Sequence, residues 1–99
     1  MSAKTQIFLA QSALQDLEDL QTYYFEQGVP AVGEHLVAEI MEKIEILADH
    51  PEIGRMVPEF GVKNLRELIH RPFRIVYRCD PQKVRIIRVW RSERILKLP

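Results

Sequence analysis

This sequence predicts an α+β domain in the order β-α-α-β-β-β, a helical hairpin packed on a mostly antiparallel four-stranded sheet. Three observations carry the prediction. Leu65 to Arg91 (LRELIHRPFRIVYRCDPQKVRIIRVWR) alternates apolar residues with arginines, the period-two pattern of strands with one face on a core and one in water. Residues 12–48 instead carry apolar side chains at helical spacing, interrupted at Gly28-Val29-Pro30. The 99 residues and 46% apolar content suit one folded domain spanning 1–99, with no internal repeat or linker to divide it.

Each element has its own signal. Thr5 to Leu9 (TQIFL) reads as a first strand. Ser12 then suits a helix N-cap, with Gln15 completing a capping box. Leu14, Leu17, Leu20 and Tyr24 follow at helical spacing, and Asp16, Glu18 and Asp19 lie near the positive end of the helix dipole. Gly28 predicts a left-handed cap, and Pro30 suits the first turn of a second helix over about Ala31 to Ala48. Leu36, Ile40, Ile44 and Leu47 form its apolar stripe, with Val37 and Met41 alongside and Glu34, Glu39, Glu42 and Glu45 opposite. So short a connection makes the helices antiparallel. His50 to Lys63 (HPEIGRMVPEFGVK) reads as a loop. Three strands follow. Phe73, Ile75 and Tyr77 point one way, and Arg74, Val76 and Arg78 the other. Asp80-Pro81-Gln82-Lys83 predicts a type I turn, and Ser92 to Pro99 a short tail.

The formal net charge is zero, but residues 1–60 hold 3 basic and 11 acidic residues, a balance of −8, while residues 61–99 hold 11 basic and 3 acidic, a balance of +8. Acidic helices and a basic sheet are a statement about partners rather than fold. Eight of those 11 basic residues are Arg, whose planar fork grips carboxylates and phosphates. The single cysteine, Cys79, rules out an internal disulfide and fits a reducing compartment, where it reads as a small buried apolar residue. No apolar run approaches a membrane span and the N-terminus lacks a signal-peptide core, so the cytoplasm is the expected location and no membrane the expected partner. One Cys and three scattered His lack metal-ligand spacing, and no phosphate loop or dinucleotide fingerprint is present, so neither metal nor cofactor is expected.

Arg66, Arg71, Arg74, Arg78, Arg85, Arg88, Arg91 and Arg94 outnumber the nearby acids Glu67, Asp80 and Glu93. The array reads as a docking surface for a polyanion or an acidic peptide, against the plainer alternative of a solvated, aggregation-resistant sheet. Arg can stabilise a developing phosphorane but does not exchange protons near neutral pH. Side chains that could do so are few: His70, Tyr77, Glu59, Glu67 and Glu93. His70 falls in an apparent tight connection as an exposed loop residue, and Tyr77 on the core face. Trp90 closes the edge of the core or stacks with a cation.

The element order, the HPEIGR loop, then LREL, FRIVYR and VRIIRVWRSER together resemble the RelE/ParE toxins of bacterial toxin–antitoxin modules, over nearly the whole chain. The resemblance implies a growth-inhibiting toxin held inactive by a cognate antitoxin that wraps a disordered segment around it. RelE-like members cut messenger RNA on the ribosome, and ParE-like members poison DNA gyrase. Nuclease members often carry His or Tyr near the C-terminus, where this chain reads VWRSERILKLP. Arg74 matches the sheet arginine that nuclease members use near the scissile phosphate, while Arg91 stands where many ParE-like members have His. The expected function is therefore ParE-like inhibition of a type II topoisomerase, with Arg66, Arg74, Arg78, Arg91 and Arg94 on the target face. The antitoxin is expected on Leu17, Tyr24, Leu36, Arg74 and Arg78, with operator DNA reached only through it. Under the alternative, a ribosome-dependent endoribonuclease, Arg74 and Arg91 would hold the phosphate, with Glu59, His70 or Glu93 as base or acid. A non-toxic antitoxin-binding module is the third reading.

Overall fold

The computed structural model describes residues 4–98, so Pro99 of the expected tail lies outside it. Its elements are β1 (Gln6–Leu9), α1 (Gln11–Glu26), α2 (Pro30–Ile46), β2 (Arg55–Met56), β3 (Leu65–His70), β4 (Phe73–Asp80) and β5 (Lys83–Arg91). The predicted α+β order is present, with one strand added. The sheet has five strands, ordered β1-β5-β4-β3-β2. β1 runs parallel to β5, and the other pairs are antiparallel. The extra strand, β2, lies inside the segment read as loop; at 2 residues it is too short to leave a periodic pattern.

The hairpin covers one face of this sheet. Leu17, Leu20, Ile40, Ile44 and Leu47 bury against Phe73, Ile75, Tyr77, Val84, Ile86 and Val89. Ala13, fully buried, takes the place expected for Leu14, which is 46% exposed. The small side chain lets the start of α1 lie close over β5. Gly33 serves the same purpose between the helices: a Cβ there would sit 3.1 Å from the Tyr24 Cβ. Gly28 has φ +79°, the left-handed value expected after α1, and Pro30 opens α2.

Ser12 is not the N-cap of α1. Ala10 holds that position without a side-chain cap, and the Ser12 hydroxyl donates to the Ile87 carbonyl at 2.6 Å. A residue placed to cap the helix instead ties it to β5.

The other face of the sheet is not wet throughout. Val57, Leu65, Val76, Ile87 and Leu96 form a second apolar cluster, with Trp90 and Leu98 packed against it. The C-terminal segment, which has no regular structure after Arg91, thus folds back to roof this face. A register shift at Val76/Tyr77 makes both clusters possible. Ile86 and Val89 are three residues apart, yet both reach the first core because the bulge resets the alternation. The β4–β5 turn also differs from expectation. Gln82 has φ +62°, which belongs to the third residue of a type II turn rather than type I.

Candidate partner-binding surface

The five arginines expected to form one face are not one cluster. Phe73 pairs with Arg91 at one end of the β4–β5 ladder and Arg78 with Arg85 near the other, so the ends lie roughly 17 Å apart at ordinary strand rise. Each arginine meets a different local fate.

Arg74, the second residue of β4, is taken up by the fold. Its side chain is 8% exposed. Its Nη1 and Nη2 donate to Glu59 Oε2 and Oε1 at 2.6 and 2.8 Å, and its Nε donates to Glu67 Oε1 at 2.6 Å. Glu67 is itself fully buried and accepts from Arg55 Nε at 2.6 Å through its other oxygen. Two cations thus share one buried carboxylate, and a second carboxylate closes the fork of Arg74. The two acids hold the guanidinium charged at every ordinary pH, and Arg74 keeps the Glu59 carboxyl below its usual range. A buried charge of this kind is tolerable because each guanidinium nitrogen has a carboxylate partner.

Arg66 is also engaged. Its Nη1 donates to the carbonyls of Gly54 at 2.9 Å and Glu52 at 3.3 Å, clamping the HPEIGR segment to β3. Arg91 lies over two rings, 5.4 Å from the Phe73 centroid and 5.6 Å from that of Tyr23, with Glu93 at 3.5 Å. Arg94 is exposed beside it, on the rim of a groove of about 500 Å³ that Tyr23, Phe73 and Trp90 also line. Arg78 is exposed at the far end of the sheet. Arg94 and Arg78 are therefore the two of the five whose side chains make no ion pair or hydrogen bond among the described residues.

The proton-transfer candidates are dispersed. The Tyr77 side chain is fully buried, and its hydroxyl accepts from the Gly54 amide at 3.0 Å; burial pushes its ionisation upward. His70 is the last residue of β3 rather than a loop residue, and its Nε2 lies 3.9 Å from Glu39 on α2. Glu59 is held by Arg74, and Glu93 lies beside Arg91 instead. Among the described residues no group of three or more His, Cys, Asp or Glu could hold a metal ion.

On the helices, Tyr24 and Leu36 are half-buried and line a shallow apolar depression with Ala31, Val32, His35 and Pro72. Leu17 is buried in the core and offers no surface to a partner. One ion pair joins partners 72 residues apart in the chain, beyond the reach of local sequence signals. Asp16 receives Arg88 Nε and Nη2, each at 2.7 Å, together with the Val89 amide at 2.9 Å. The Arg88 guanidinium also lies 4.1 Å over the Trp90 ring. An acid one turn into α1 is a weak cue by itself, and only the fold brings β5 beside it.

The sequence matches the model of the ParE toxin of type II toxin–antitoxin systems, parDE, over residues 7–96. The chain belongs to the ParE toxin family. Among solved structures it is similar to a chain of the chromosomal ParDE toxin–antitoxin system of P. aeruginosa. That match has TM-score 0.77 and 24% identity, covering 93% of this chain and 100% of the other. It is also similar to a chain of the RelBE2 toxin–antitoxin complex of Mycobacterium tuberculosis, with TM-score 0.64, 20% identity, and coverage of 89% and 98%. Both likenesses speak to the fold. No curated protein matches. No helix of this ParE-family chain, among the described residues, is long and apolar enough to cross a membrane.

Proposed function

We propose that this ParE-family toxin arrests growth by binding a type II topoisomerase, DNA gyrase being the foremost candidate, and that a cognate antitoxin neutralises it. The observation that carries the reading is the state of Arg74. The guanidinium that a nuclease would offer to a scissile phosphate is closed off by Glu59 and Glu67, while the Tyr77 hydroxyl is buried against Gly54. A surface so arranged favours gripping over cutting.

In this reading the target meets Arg78 and Arg94, with Arg91 presented on its aromatic seat. The antitoxin covers the Tyr24–Leu36 depression and reaches Arg78, so that it masks part of the face the target needs. The partners meet in the cytoplasm. The neighbouring ParDE and RelBE2 structures, both toxin–antitoxin systems by name, support an antitoxin partner.

The test adds purified protein to a gyrase supercoiling reaction and, separately, to ribosomes translating a labelled message. Inhibited supercoiling with an intact message is expected. Discrete cuts in the message with supercoiling unaffected would replace this reading with the endoribonuclease. Normal growth on induction would leave only a non-toxic antitoxin-binding module.

A further inference from the structure

Arg78 and Arg85 are directly opposed on β4 and β5, and Asp80 opposes Lys83 two residues nearer the turn. Opposed residues share a face of the sheet, and like charges so placed repel. Both arginines are exposed, and neither has a carboxylate within ion-pair reach among the described residues. Arg55, Arg74 and Arg88, by contrast, each have at least one. Arg78, Lys83 and Arg85 line a single cleft of about 400 Å³ with Asp80 as its one acid, floored by Ile87 and Leu98. The row continues onto β1. Phe8 is the register partner of Arg85, is 43% exposed, and has the Lys83 ammonium 5.7 Å from its ring centroid.

We propose that this cleft binds the phosphodiester backbone of single-stranded nucleic acid. Two guanidinium forks and an ammonium in one short row match an anion that repeats one charge per unit. The exposed ring beside them offers a stacking surface to an unstacked base, the pairing of basic groove and aromatic platform that strand-binding proteins use. A run of carboxylates would satisfy the cations but leave the ring without a partner of its kind. The inference goes beyond the topoisomerase reading: this chain touches nucleic acid itself, and of the cleft and its aromatic neighbour only Arg78 is shared with the surface proposed above, while Phe8, Lys83 and Arg85 are not.

The test is fluorescence anisotropy of a short labelled oligothymidylate with the full chain at several ionic strengths. Binding is expected, with a log–log salt slope of roughly −2 for three phosphate contacts. Arg85→Glu should weaken it at least about tenfold, and Phe8→Ala about fivefold, since stacking and charge act together. Arg85→Glu should also raise the melting temperature by relieving the opposed charges, an effect that separates lost binding from lost folding. Arg71→Glu makes the same charge change at the far turn and should alter affinity by less than about twofold, because screening confines the effect. Lys83→Glu, at an exposed turn position, repeats the test. Absence of binding, an equal loss in Arg71→Glu, or tighter binding of polyglutamate than of oligothymidylate would each overturn the proposal. Gyrase inhibition is read separately, so failure here leaves that reading standing.

Discussion

Arg74 and Glu67 meet across the β3–β4 pairing with Nε and Oε1 2.6 Å apart, their side chains 8% and 0% exposed. Removing one partner of such a pair leaves a charge stranded in the interior. Here Glu67→Ala leaves the buried Arg74 Nε without its acceptor, while Arg55, 61% exposed, turns to water. The expected loss is about 3–5 kcal/mol in urea unfolding. Arg74→Ala should cost a similar amount, so a loss of toxicity in that variant reports folding and not target contact.

Gly54 sits where no side chain fits. A Cβ there would lie 2.6 Å from the Glu67 carbonyl oxygen and 2.7 Å from the Tyr77 hydroxyl. Neither neighbour is free to move, as one is strand backbone and the other a fully buried ring. Gly54→Ala should therefore destabilise by about 1–3 kcal/mol. Tyr77→Phe removes the acceptor of the Gly54 amide and should cost about 1–3 kcal/mol. The two losses in the double variant should fall short of their sum, which denaturant unfolding of all four proteins will read.

At the β4–β5 turn the expected change is a gain. Gln82 holds φ +62° without being glycine, and Pro81 before it already suits a type II turn. Gln82→Gly relieves about 1 kcal/mol of backbone strain but frees the unfolded chain, leaving a net gain of roughly 0.5 kcal/mol. A melting curve shifted downward would contradict the turn assignment.

Stability should depend on pH at both ends of the scale. The Arg74 fork, as the main cause, holds the Glu59 carboxyl below its ordinary value of 4.5. A depressed folded-state value means that stabilisation is present above 4.5 and is lost as pH falls from there through the folded value. Glu59→Gln should flatten that acid limb. Burial pushes the Cys79 thiol above 9.0 and the Tyr77 phenol above 10.0. Their neutral forms belong to the folded state, so this stabilisation is complete below those values and drains away as pH rises past them. Alkylation of Cys79 at pH 9.0 should accordingly be slower in the folded protein than in urea.

The helices and the three long strands were legible because their signals are local. Apolar spacing, Gly28 and Pro30 each act within a turn or two of the chain. What stayed hidden depends on partners far apart in sequence. β2 became a strand only because β3 paired with it, through Arg55 opposite Glu67. Leu96 and Val57 turned a nominally wet sheet face into a second core. The alternation of Arg with apolar residues was read as solvent-facing, and it correctly placed Arg74 opposite the hairpin. It could not reveal that Glu59, fifteen residues earlier, folds over that guanidinium. The same limit dispersed the site: one list of five arginines became two exposed cations, two clamps and one aromatic stack.

The arginines that the fold leaves unused, Arg78 and Arg94, are expected to be those that act on the target. The direct measurement is gyrase supercoiling inhibition by the double variant Arg78→Ala/Arg94→Ala, with its unfolding curve recorded alongside. The expected result is an unfolding free energy within about 0.5 kcal/mol of the parent, as for surface substitutions, and inhibition reduced at least tenfold, roughly 1.4 kcal/mol. A variant equally stable and equally inhibitory would contradict it.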